Sequence, residues 1–361
     1  MFDPTQFYRL ASGEWRGPVA MAARLGLRLA EVPYAAAVRL RNRRYDRGKL
    51  PAERVEGVVI SVGNLTTGGT GKTPMVKWVC RLLRARGLRV AIISRGYGAE
   101  EGAKNDEALE LEQALHDVPH LQSPDRVAIA RVAIEELESQ VLVVDDGFQH
   151  RRLARDLDIV LLDATQPFGF GHMLPRGTLR EPIASLARGG VVCLTRADMI
   201  SESQRQAIRK RVVEVAPHAA WCEVVHRPQH LLSGTGAHQE PLERLQGMRV
   251  AGFCGIGNPA AFRATLENAG ATVAAWRAFP DHHIYTAEDV AGLVSMAKES
   301  GAERLVCTHK DLVKLRTDEL EHIPLWGVVV EMAFLVGERE MAERVDGVIA
   351  TLSEVPTMPA D

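Results

Sequence analysis

The chain has 361 residues, 46% hydrophobic and 25% charged, with 44 Lys and Arg against 46 Asp and Glu. The formal net charge of −2 argues against a general pull toward nucleic acid or acidic surfaces, and the length suits one large or two medium globular domains. Five scattered cysteines, Cys80, Cys193, Cys222, Cys254 and Cys307, include no C-x-x-C pair, which argues for reduced thiols in a cytosolic compartment over disulfides or a zinc site.

From Pro18 to Leu40 the chain is mostly Ala, Leu, Val and Met, a helical segment shorter in uncharged residues than a membrane span requires. Arg24, Arg28 and Glu31 recur at i, i+4 and i+7, so they share one narrow face. Pro33 is expected to kink or end the helix. A basic cluster follows, Arg39, Arg41, Arg43, Arg44, Arg47 and Lys49, opposed only by Asp46. A broad apolar face joined to arginines suits a helix lying in a membrane interface on anionic head groups. A core-packing helix with a solvated basic end has the same pattern. The charges follow the apolar part and no small-residue cleavage site is evident, so it does not read as a secretory signal.

The next segment carries the strongest chemical signal. An apolar run, Val58 to Val62, ends in Gly63-Asn64-Leu65-Thr66-Thr67-Gly68-Gly69-Thr70-Gly71-Lys72-Thr73-Pro74. Apolar Met75, Val76, Val79, Leu82 and Leu83 then recur at helical spacing. Strand, glycine-rich loop and helix in that order form a phosphate-binding loop: backbone N–H groups and the helix N-terminus converge on phosphate oxygens. Thr66, Thr67, Gly68, Gly69, Thr70 and Gly71 supply the cradle. Lys72 reaches the outer phosphates, and the Thr73 hydroxyl is suited to Mg2+. The commonest spacing would put glycine at 66, where Thr66 stands. Dimeric switch ATPases with a similar Gly-Gly loop carry a lysine where this chain has Thr67, which argues against that class.

After the loop helix, a strand is expected at 88–94, helices at 106–115 and 125–137, and strands at 141–144, 157–162 and 191–195. This is a doubly wound α/β pattern. Val141-Leu142-Val143-Val144-Asp145-Asp146 delivers two carboxylates to the sheet edge beside the phosphate loop, where one of them holds Mg2+ directly or through water. Gly147 to Arg151 continues from that edge. The Pro/Gly-rich stretch from Thr165 to Gly190 is longer than an ordinary connection and reads as functional. A second cycle of strands begins near Met248, at 249–253, 272–276, 304–307 and 325–330. The expected organisation is an N-terminal helix and basic segment (1–50), a phosphate-loop domain with a mostly parallel sheet (51–228), a smaller C-terminal α/β domain (246–332) and a final helix and tail (333–361). In the smaller domain, Phe279-Pro280-Asp281-His282-His283 reads as either a surface loop or a proton-handling site. Thr308-His309-Lys310-Asp311 reads as either a helix cap at Asp311 or a polar edge facing the nucleotide.

Together these blocks resemble the tetraacyldisaccharide 4'-kinases, the lipid A 4'-kinases of Gram-negative bacteria. The likeness rests on the phosphate loop, on Ser94-Arg95-Gly96-Tyr97-Gly98 and on Asp145-Asp146-Gly147-Phe148-Gln149-His150. It continues through Leu162 to Gly169, Leu179-Arg180-Glu181-Pro182, Gly255-Ile256-Gly257-Asn258-Pro259 and the Asp-His-His block. It implies ATP- and Mg2+-dependent phosphorylation of the 4'-hydroxyl of a tetraacyldisaccharide 1-phosphate. It also implies a peripheral enzyme on the cytoplasmic face of the bacterial inner membrane, with the lipid disaccharide and the anionic membrane surface as its partners. Neither nucleic acid nor an obligate protein partner is expected.

Carried over by position, Asp106 is the base and His282 its partner, with Asn105 in place of the family's glycine. Glu181 flanks the metal or the sugar, and Arg95, Gln149, His150 and Arg180 fall to the substrate side. His309 stands where the family usually has Glu. The rival readings are a membrane-associated ATPase switch that recruits a protein and a soluble small-molecule kinase.

Overall fold

The computed structural model describes residues 4–96, 110–112, 114–280 and 283–354. The described parts of Met1–Arg95, Val118–Val225 and Ala333–Asp361 form one compact unit, and those of Gly96–Asp117 and His226–Met332 form another. The N-terminal helices and the last helix thus belong with the phosphate-loop sheet.

The first unit opens with α1 (Pro4–Ser12) and α2 (Pro18–Asp46). Pro33 does not end α2, which runs on for three more turns through the expected basic cluster. Its ring lies on an exposed stretch, where water can take the carbonyl left without a donor. Meanwhile Ala20, Ala35 and Asn42 bury the opposite side. Arg43 and Arg44 fall in the last turn, where cations favour the negative end of the helix dipole.

Seven strands follow in this unit: β1 (Val58–Asn64), β2 (Val90–Ser94), β3 (His120–Gln122), β4 (Val141–Asp145), β5 (Leu157–Asp163), β6 (Val191–Thr195) and β7 (Ala220–Ser233). Their order is β7-β6-β5-β1-β4-β2-β3, and every pairing along it is parallel. The residues of β1, β4, β5 and β6 are buried throughout, as their unbroken apolar runs require when helices cover both faces. Helices α3 (Lys72–Ala85), α4 (Arg126–Glu135) and α5 (Glu202–Val215) make the crossovers. One face of the sheet packs Val59, Ile93, Leu142 and Val144 against Val127, Ala130 and Ala133 of α4. Further along the same face, Val160, Leu162, Val192 and Leu194 pack against Leu65, Phe148, Ala35 of α2 and Ile208 and Val212 of α5.

Strand β1 pairs β4 on one side and β5 on the other, with Val62 opposite Asp145 and Asn64 opposite Leu161. The chain leaves β1 toward β2 and later returns on its other side with β5. This makes the carboxyl end of β1 the topological switch point, where open α/β sheets bind ligands.

The long strands β7 and, later, β13 (Ile323–Val336) lead out of this unit and back. The second unit contains β8 (Gln239–Pro241), β9 (Arg249–Cys254), α6 (Pro259–Asn268), β10 (Thr272–Ala278), α7 (Ala287–Ser300), β11 (Arg304–Thr308), α8 (His309–Leu315), β12 (Glu319–Leu320) and β13 (Ile323–Val336). Its parallel core has β10, β9, β11 and β13 in that order. The chain then re-enters the first unit as α9 (Glu338–Ile349). There it buries Met341 and Val345, and Asp346 takes a two-point ion pair from Arg86 at 3.1 and 3.0 Å.

Gly63 shows how tightly the switch point is built. A Cβ there would lie 2.6 Å from the Cβ and 2.8 Å from the backbone nitrogen of Phe148, a side chain that is fully buried. Gly63→Ala should therefore destabilise the chain by about 1–3 kcal/mol through overpacking. Urea unfolding followed by circular dichroism measures it, and an unchanged midpoint would contradict this packing.

Candidate functional site

The loop after β1 is shaped by two glycines. Gly68 has φ +113° and Gly71 has φ +83°, left-handed conformations that β-branched residues avoid. Thr66 and Thr67 carry no such constraint. Thr66 pairs in antiparallel fashion with Leu179, and the Thr67 N–H donates to the carbonyl of Thr178 at 2.8 Å. This explains why threonine replaces glycine at 66: the backbone there is extended and paired, a setting in which a β-branched residue is favourable. The Arg180 N–H donates to the Leu65 carbonyl at 2.9 Å, so the Pro/Gly-rich stretch is zipped to the phosphate loop. Gly71 caps α3, and Lys72 and Thr73 occupy its first turn.

Asp146 organises the charges at this edge. Arg180 holds it with a two-point bond, Nη1 to Oδ1 at 2.7 Å and Nη2 to Oδ2 at 3.0 Å, while Lys72 Nζ lies 3.8 Å from Oδ1. Burial alone would raise the Asp146 carboxyl. The Arg180 hydrogen bonds and the charges of Lys72, Arg180 and Arg126 outweigh it and hold the group below its usual range. The Asp146 backbone is left-handed at φ +50°, and its carbonyl accepts from Arg126 Nη1 at 2.9 Å. Arg126 is almost fully buried, and burial lowers its pKa against the opposing pull of Asp146 and Asp145. Sequence reading passed over Arg126 because it sits at the start of an ordinary crossover helix, far along the chain from its target. Asp145 ends β4 and is also buried.

Asn64 ties the parts together. Its Oδ1 accepts from Arg180 at 3.2 Å, its Nδ2 donates to the Gly68 carbonyl at 3.3 Å, and its own carbonyl accepts from Gln149 Nε2 at 2.8 Å. His150 lies next to Gln149. Burial, with the charges of Arg126, Arg155 and Arg152, pushes its imidazole down to about 4. Arg95 follows β2, close enough to Arg126 for its charge to be felt there.

Glu181 sits elsewhere in the network. It is fully buried and accepts from Asn42 Nδ2 at 2.8 Å, Arg188 Nη2 at 2.9 Å and Arg41 Nη2 at 3.3 Å. These donors occupy its oxygens and make it the link between α2 and the segment after Arg180. Tyr34 on α2 also donates to the Arg180 carbonyl at 3.0 Å.

Asp106, Asp281 and His282 lie outside the described residues. In the second unit, His283 stacks on Phe279 and bonds Asp289 at 2.9 Å. The cap of α8 is Thr308, which accepts from the Asp311 N–H at 3.2 Å. Asp311, fully buried, accepts in turn from Thr308 Oγ1 at 2.6 Å and from the Gly255 N–H at 3.0 Å. The cap expected at Asp311 therefore falls to Thr308, and the Asp311 carboxylate also pins the glycine turn after β9.

A sequence model described as Tetraacyldisaccharide-1-P 4'-kinase matches residues 23–350. The Tetraacyldisaccharide 4'-kinase of Anaeromyxobacter dehalogenans strain 2CP-C is 45% identical over 320 residues, covering 83% of this chain and 84% of that protein. The protein of the same name from Geobacter sulfurreducens is 36% identical over 350 residues, covering 91% and 95%. Among solved structures, LpxK from Aquifex aeolicus in complex with ATP superposes with a TM-score of 0.71 at 28% identity, covering 90% of this chain and 99% of that one.

The low His150 pKa has a measurable consequence. Between its ordinary value of 6.5 and about 4, the unfolded chain binds a proton at this position that the folded chain refuses. His150 therefore contributes a loss of stability as pH falls through that window and nothing above it. His150→Gln should show a shallower fall of Tm across the window than the wild-type chain. Parallel Tm profiles would show that His150 titrates normally.

Proposed function

The chain belongs to the tetraacyldisaccharide-1-P 4'-kinase family, and from that membership we propose that it transfers the γ-phosphoryl group of ATP to the 4'-hydroxyl of a tetraacyldisaccharide 1-phosphate. One observation supports this most directly. The Gly-Gly-x-Gly-Lys-Thr loop, the paired aspartates and Arg180 converge on the carboxyl edge of β1. The Aquifex aeolicus relative, solved in complex with ATP, supports ATP as the nucleotide.

Phosphoryl transfer depends on positioning and charge stabilisation more than on covalent chemistry. In this reading the loop amides and Lys72 hold the phosphates. The Thr73 hydroxyl and Asp145 are hard oxygen donors of the kind Mg2+ takes. They are assigned to it because Arg180 and Lys72 already claim Asp146. When bound, the ion neutralises charge building on the phosphate oxygens. Arg180, released from Asp146 or still bridging it, faces the transferring group. Arg95, Gln149 and His150 are placed on the substrate side. Asp106 accepts the proton of the sugar hydroxyl and His282 shares its charge.

The substrate is a lipid, and α2 has a face suited to its membrane. Met21, Leu25, Leu29, Val32 and Leu40 are 54–68% exposed. The polar residues Arg24 and Glu31 turn inward: Arg24 donates to the Trp15 carbonyl at 2.8 Å, and Glu31 accepts from the Met173 N–H at 2.8 Å. The apolar stripe is thus exposed while Arg24 and Glu31 bond to the protein, the reverse of an ordinary surface helix, and Arg28 stays exposed. With the arginines of its last turns, α2 fits the anionic cytoplasmic face of the inner membrane. No described helix is long and apolar enough to cross a membrane. The switch-ATPase reading has less support, since Thr67 replaces the lysine that class requires.

With radiolabelled ATP, Mg2+ and the tetraacyldisaccharide 1-phosphate in detergent micelles, the purified chain should form a labelled lipid. ATP hydrolysis without a labelled lipid would overturn the kinase reading. Asp106→Ala should lower turnover by about 10²–10⁴ with ATP affinity retained, as loss of a general base does. Leu25→Glu with Leu29→Glu should abolish co-flotation with anionic liposomes and leave the KM for ATP unchanged. Full flotation of that variant would remove α2 as the membrane contact.

A further inference from the structure

Arg196 stands just past β6 and was not singled out by any motif. Its backbone is left-handed at φ +54°, which a non-glycine residue adopts only when its surroundings hold it there. Two contacts account for this. Nη1 pairs with Oδ2 of Asp163, the last residue of β5, and Nη2 donates to the carbonyl of Gly69 in the phosphate loop at 3.0 Å. Asp163 is itself fixed, since its other oxygen accepts from the N–H of Thr165 at 2.9 Å and from its hydroxyl at 2.6 Å. Strand register places Asp163 beside Thr195, so the pair spans neighbouring strand ends.

Holding that carbonyl has a geometric consequence. In a planar trans peptide the C=O of one residue and the N–H of the next point in opposite directions. Arg196 fixes the Gly69 carbonyl on one side of the loop, so the Thr70 N–H must face the other. Asn64 does the same one peptide earlier by holding the Gly68 carbonyl at 3.3 Å, which turns the Gly69 N–H. Gly69 has no atom near the place of a Cβ and no side chain of its own to settle its peptides. A cation on the carbonyl also polarises the peptide and strengthens its N–H as a donor to an anion.

We infer that Arg196, anchored by Asp163, is a positioning residue that aligns the Gly69–Thr70 peptide of the phosphate loop for the phosphates of the nucleotide. The inference rests on the nucleotide reading of the loop. It assigns to Arg196 the triphosphate, not the base and not the chemical step.

ATP, ADP and adenosine binding by calorimetry, together with steady-state kinetics, tests it on the full chain. Arg196→Ala should raise the Kd and KM for ATP about tenfold, the usual effect of losing a charged hydrogen bond. ADP should weaken with ATP, adenosine should be unaffected, and kcat should change less than KM. Arg196→Lys, which can reach one partner but not both, should fall between. Asp163→Asn should reproduce the loss, and the double variant should be no worse than the worse single one.

If Arg196→Ala does not fold, the lysine and Asp163→Asn variants carry the same comparison. Wild-type ATP affinity in these variants would overturn the inference. So would equal weakening of adenosine, which would make Arg196 a base contact, or a fall in kcat with KM and Kd unchanged, which would place it on the chemical step. Failure of the wild-type chain to bind ATP at all would instead overturn the nucleotide reading, and the inference with it.

Discussion

The two-point ion pair between Arg180 and Asp146 is the contact on which the site depends. It joins the segment after the Pro/Gly-rich stretch to the strand that delivers the acidic pair, and Lys72 reaches the same carboxylate. A guanidinium fork on a carboxylate fixes both distance and plane, which a single bond or a lysine would not. Around it the signs are unequal. Among the described residues, Lys72, Arg126, Arg180 and Arg95 gather around the carboxylates Asp145 and Asp146, and Glu181 also acts on Arg180. Holding Asp146 ionised offsets part of that positive charge and leaves the remainder for an anionic ligand. Burial first, and then the charges of Arg126, Arg155 and Arg152, hold the neighbouring His150 imidazole down to about 4.

Below this site lies a second charged contact of different character. Glu181 is withdrawn from water completely, and a buried carboxylate is tolerated only with its oxygens satisfied. Asn42, Arg41 and Arg188 do this, and Arg188 also lies over the Phe148 ring at 4.4 Å. Phe148 in turn presses on Gly63 at the end of β1. Arg180 and Glu181 are adjacent in the chain yet serve opposite ends of one scaffold. Arg180 addresses the phosphate edge, and Glu181 fastens the long N-terminal helix beneath it. A motif of neighbouring charged residues therefore does not imply one shared ligand.

How much of this was legible depended on range. Val58 to Thr73 and Val141 to Asp146 are local patterns, and the chemistry they encode is complete within each segment. Strands β2, β4, β5 and β6 and helix α4 were legible for the same reason, whereas β3 was not expected, and the helix expected at 106–115 lies partly outside the described residues. Arg126 and Arg196 were not, because each acts on a backbone carbonyl far away in sequence, and a carbonyl leaves no signature in the residue that owns it. Thr66 looked like a departure only against a spacing rule. The extended pairing with Leu179 that makes it favourable comes from the opposite side of the site. Pro33 shows a local rule overruled by packing elsewhere on the same helix. The grouping of 333–354 with the first unit follows from α9 folding back through Asp346, which no composition shift announces.

The faces of α2 connect these observations. At about 100° per residue, Glu31, Tyr34 and Asn42 fall on one side of the helix, and Met21, Leu25, Leu29, Val32 and Leu40 fall about a third of a turn away. The first set grips the Pro/Gly-rich stretch and its continuation at Met173, Arg180 and Glu181. The second is open to its surroundings. Arg43 and Arg47 continue the line of the open stripe, so apolar contact passes directly into positive charge along the helix. A rigid helix that holds the site with one face cannot rotate its other face independently. Whatever surface takes the apolar stripe must therefore meet the chain at a fixed angle to Arg180 and the phosphate loop. On the lipid-kinase reading proposed above, that fixed angle would bring the acceptor's sugar to the same edge on each approach.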